Sequence, residues 1–147
     1  TLLVGLAGGS VGEAATLAQL DGPALYSDLV KLCATCPQLD RGTARQMIEK
    51  LTARGAEARL ELFIRMLDLF LGRMAHFGVG KPPASEVCGQ EFDTFARLTP
   101  TSVRAKDWAT LQQELSDRIR HGLAVNVDAQ SLIMDAFLQI NGVASRS

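Results

Sequence analysis

The chain has 147 residues, 47% hydrophobic and 21% charged, with a formal net charge of -1. That is length enough for one domain with a core of its own, or a domain plus a fragment of another, and it is too apolar for a disordered chain. Scattered Lys and Arg and a pI of about 6.1 argue against a dedicated nucleic-acid surface; Arg65, Asp68 and Arg73 break the longest apolar stretch short of the roughly 18–20 residues a membrane span needs.

The sequence opens on Thr1 rather than Met, so it reads as a piece excised from a larger protein, and Thr1–Ala7 lacks the basic region and the length of a secretion signal. A cytoplasmic location is expected. Ser10 can cap a helix and Glu13, three residues on, can reach back to its amide, which predicts a capped helix from about Val11 to Leu20. Asp21-Gly22-Pro23 breaks it and marks the expected domain boundary, with residues 1–21 ending one domain and 22–147 forming the next; Pro23 suits a helix start. Leu25, Leu29, Leu32, Cys33 and Cys36 then share a stripe that Pro37 terminates. Asp40 is the expected cap of a helix carrying Ala44, Met47, Ile48 and Leu51 at i, i+3, i+4 and i+7.

From about Ala56 to Phe77 apolar residues surround the helix, the pattern of the central member of a bundle. Gly78–Pro83 is a loop and Glu91–Leu98 a short helix. Past Thr99-Pro100, Trp108, Leu111, Leu115 and Ile119 mark a longer amphipathic helix that stops near His121-Gly122. Asn126 or Asp128 caps the last helix, whose Leu132, Ile133, Ala136, Phe137 and Ile140 share a face until Asn141-Gly142 closes it. No segment alternates as a strand does, and no repeat of fixed period appears. The reading is all-α, an irregular bundle of about five to six helices.

Chemistry-bearing residues are few. Cys33-Ala34-Thr35-Cys36 has the CxxC spacing of zinc or redox sites, yet no second ligand pair matches it and no strand precedes it, so the pair reads as small core residues; the odd total of three cysteines speaks against a disulfide framework. His76 and His121 stand just before Gly78 and Gly122 and read as polar groups at helix C-termini, with both glycines as C-caps. Gly78-Val79-Gly80-Lys81 lacks the strand, the glycine spacing and the following Ser or Thr of a phosphate loop. No carboxylate pair stands out as acid and base. No catalytic residue, metal site or cofactor is expected.

The stretch Leu6-Ala7-Gly8-Gly9-Ser10-Val11-Gly12-Glu13-Ala14 resembles the start of the last lid helix in the clamp-loader branch of the AAA+ ATPases. There an arginine two residues past the serine reaches the nucleotide phosphates. Gly12 stands at that position, and with no side chain it cannot make that contact. The remaining anchors are Leu25-Tyr26 leading to Leu39-Asp40-Arg41, Arg54–Arg59, Arg120–Asp128 and Leu132–Ile140. In this order they resemble the C-terminal part of delta-prime subunits of bacterial DNA polymerase III clamp loaders. The resemblance implies a fragment of lid followed by a helical collar, the domain through which subunits associate in a ring. It implies that ATP is used on other subunits to load the sliding clamp in DNA replication. The partners would be the gamma or tau and delta subunits, with no direct nucleic-acid contact and a monomeric or weakly associating isolated chain. Arg104, Arg118 and Arg120, expected to be exposed, are the candidate subunit-interface residues. A free-standing helical adaptor that binds a peptide or small ligand in a groove is the alternative.

Overall fold

In the computed structural model, which describes residues 21–146, every regular element is helical. The helices are α1 (Gly22–Cys33), α2 (Arg41–Leu51), α3 (Glu57–Gly78), α4 (Glu91–Leu98), α5 (Ser102–Ala124) and α6 (Ala129–Ala144). The all-α expectation holds, with no strand among the described residues. The helix expected over Val11–Leu20, and Gly12 with it, lies outside the described residues.

Helix α3 is central, as its all-round apolar surface requires. Leu62, Phe63, Ile64, Met66, Leu67, Phe70, Leu71 and Met74 are all buried, and α1, α2, α4 and α5 pack on it. Its main partner is α5. Arg120 meets Glu61, Gln112 donates to the Asp68 carbonyl, and Ala105 lies beside Gly78, so the two helices run antiparallel. The stripe read from the sequence, Trp108, Leu111, Leu115 and Ile119, is the buried face of α5, and the Trp108 indole donates to the Leu98 carbonyl at 3.0 Å. Helix α6 closes the bundle over α2 and α5, its Phe137 ring 5.9 Å from that of Phe63. Asn141 does not end α6. It lies inside the helix and its side chain accepts from the Leu39 amide, tying α6 to the loop before α2.

Two helix ends differ from expectation for a common reason. Gly78 and Gly122 are helical residues, not caps. The left-handed positions fall two and four residues later, at Gly80 (φ 81°) and Asn126 (φ 63°). Each completes the same paired closure: Lys81 and Gly80 donate to the carbonyls of His76 and Phe77, while Val127 and Asn126 donate to those of Gly122 and Leu123. Asn126, one of the two cap candidates for α6, therefore ends α5, and Asp128 caps α6 by accepting from the Ser131 amide at 3.0 Å.

What Gly78 and Gly122 provide is closeness. A Cβ on Gly78 would lie 2.2 Å from Thr99 Oγ1 and 2.7 Å from Ala105 Cβ, and one on Gly122 would lie 2.7 Å from a Leu132 methyl. The Thr99 hydroxyl is buried without a hydrogen-bond partner and the Ala105 methyl has no rotamer to escape into. Gly78→Ala is therefore expected to lose about 1–2 kcal/mol in urea unfolding, although alanine is the better helix former. Gly142→Ala, in α6 with open space around it, should instead gain up to about 1 kcal/mol. Equal effects at both sites would refute the close-packing role.

The caps expected at Asp40 and Asp128 carry a pH dependence. Bonds from the Thr43 amide and hydroxyl hold the Asp40 carboxyl below its ordinary range, and those from the Ser131 hydroxyl and amide do the same for Asp128. A carboxyl depressed in the folded state stabilises above its unfolded value and loses that contribution as pH falls through the folded one. Stability should decline as pH drops below about 4, and more shallowly in Asp40→Asn/Asp128→Asn, since asparagine keeps the cap without the proton. Denaturant midpoints measured across that range check it.

Candidate functional site

Of the three arginines expected at an interface, only two are exposed. Arg104 is the exception: its side chain is 13% exposed, it donates to the Arg146 carbonyl, and its Nε lies 3.8 Å from Asp107. Asp107 also meets the Arg146 guanidinium at 3.4 Å, so this cluster fastens the start of α5 to the end of α6. Arg118 and Arg120 lie half-exposed at the far end of α5, about 21 Å along the helix. Arg118 pairs with Asp135 of α6 and Arg120 with Glu61 of α3, each at 2.9 Å. The three form no single patch, and each is already bonded within the chain.

The buried polar centre is elsewhere, at residues whose role the sequence reading missed. Glu91, the first residue of α4, has no exposed surface. Arg73 of α3 grips it with both arms of the guanidinium, Nε to Oε2 at 2.8 Å and a terminal nitrogen to Oε1 at 2.7 Å. The Tyr26 hydroxyl of α1 donates to Oε2, and the Val87 amide donates to Oε1 at 2.9 Å. The second hydrogen-bonding direction of Arg73 reaches the Ser85 carbonyl at 2.9 Å. Three helices and the loop before α4 are thus joined through one carboxylate, every polar group partnered. Burial, reinforced by the adjacent Glu91 charge, pushes the Tyr26 hydroxyl far above its ordinary value. Burial opposes the charge on Arg73, but the Glu91 carboxylate outweighs it and holds the guanidinium protonated. With its one carboxylate spent on these bonds, the cluster is a structural clasp with no free acid or base. The signal for it was present: Glu91, Thr94, Phe95 and Leu98 are spaced as one buried helix face.

Cys33 and Cys36 are both buried, as their spacing implied, although Cys36 lies in the turn beyond α1 rather than on it. Burial pushes the Cys33 thiol well up, helped by Cys36, and pushes Cys36 up to about 11, which Arg97 only partly offsets. Both are thiols, not nucleophilic thiolates, at neutral pH. Arg97 of α4 donates to the carbonyls of Ala34 and Cys36, a cation on the last carbonyls after α1. Among the described residues no three His, Cys, Asp or Glu side chains gather as a metal would need. His76 bonds the Gly72 carbonyl of its own helix at 3.0 Å.

Two clefts open on either side of α2. One, of about 410 Å³, lies between α1 and α2, with Leu25, Met47 and Leu51 at its floor and Asp28, Lys31 and Lys50 among its walls. The other, of about 470 Å³, lies between α2 and α6 and is lined by Ile48, Met134 and Leu138 with Arg45, Glu49 and Asp135. No helix among the described residues is long and apolar enough to cross a membrane. The fold and these surfaces define a class, an all-helical bundle with clefts between its helices. Searches of protein-family models, curated proteins and solved structures return no match to the chain.

Proposed function

We propose that this chain is a protein-assembly module and, more particularly, the end of the lid and the collar of a bacterial clamp-loader subunit of delta-prime type. In that role it is a non-catalytic, cytoplasmic component. It holds the loader ring together while other subunits spend ATP to place the sliding clamp on DNA. The observation that carries this reading is where the resembling stretches fall. Leu39-Asp40 supplies a packed residue and the α2 cap, Arg54–Arg59 turns through left-handed Gly55 into α3, Arg120–Asp128 makes the closure between α5 and α6, and Leu132–Ile140 carries most of the buried face of α6. These are the parts of a sequence that a shared fold constrains, since caps, turns and core faces each accept few residue types.

Size-exclusion chromatography with light scattering tests it. Mixed at micromolar concentration with collar regions of gamma or tau and delta subunits from a bacterial clamp loader, the chain should co-migrate in a larger complex, and alone it should run as a monomer or associate weakly. Failure to join those partners would remove the assignment. The cleft between α1 and α2 favours the second reading, a free-standing adaptor for a peptide, which a stable homodimer that ignores the clamp-loader subunits would support.

A further inference from the structure

We draw no further inference here: the strongest candidate, the pair of apolar-floored clefts on either side of α2, sets Glu49, Asp128 and Asp135 beside Arg45 so that its charge selects no partner, and nothing among the described residues shows what covers it.

Discussion

Arg73→Met should destabilise the protein by about 3–5 kcal/mol, the largest effect expected of any single surface-reaching side chain. Methionine keeps most of the aliphatic volume but removes both bonds to Glu91, and the carboxylate that stays behind has no exposed surface through which water could replace them. Only Tyr26 and the Val87 amide would remain to it. The sign of the compensating experiment follows from the same reasoning. Removing the polar groups together, in Tyr26→Phe/Arg73→Met/Glu91→Leu, takes away the charge as well as its partners and should recover at least half of the loss. Urea unfolding of the single and triple variants measures both; a triple variant less stable than the single one would mean that the clasp contributes more than its apolar replacement could.

Leu67→Ala should cost about 2–5 kcal/mol, because Leu67 is 2% exposed near the middle of α3, where neighbouring helices on several sides prevent the structure from collapsing into the space left. The same measurement reads it. A loss below about 0.5 kcal/mol, as for a surface site, would contradict the central position of α3. The two variants probe different things: Leu67 tests the packing that the apolar pattern encodes, and Arg73 tests a bond network that the pattern only hints at.

That contrast extends to the rest of the fold. The faces of α2, α5 and α6 were legible because an amphipathic helix repeats its apolar residues every three to four positions, and Asp40 and Asp128 were legible as caps because the bond each makes spans only three residues. Gly78 and Gly122 were misread as caps. A glycine near the end of a helical pattern signals either a left-handed turn or a close approach, and the choice between them depends on Thr99, Ala105 and Leu132, which belong to other segments. Asn126 and Asp128 were both candidates for the N-cap of α6; Asp128 fills that place and Asn126 ends α5, since asparagine suits both a left-handed C-terminal position and an N-cap.

The sequence by itself determined the helical class, the extent of α3 and α4, the buried stripes and two of the caps, all of which rest on interactions between residues a turn or less apart. Tertiary structure decided what the charges do. Tyr26 and Glu91 are 65 residues apart and Arg120 and Glu61 are 59 apart, and nothing local distinguishes Arg120, paired across the bundle, from Arg45, exposed and unpaired on α2. A charged side chain on a helix has the same local environment in both cases. Only the packing of α3 against α5, which brings Glu61 to Arg120, gives that cation a partner within the chain.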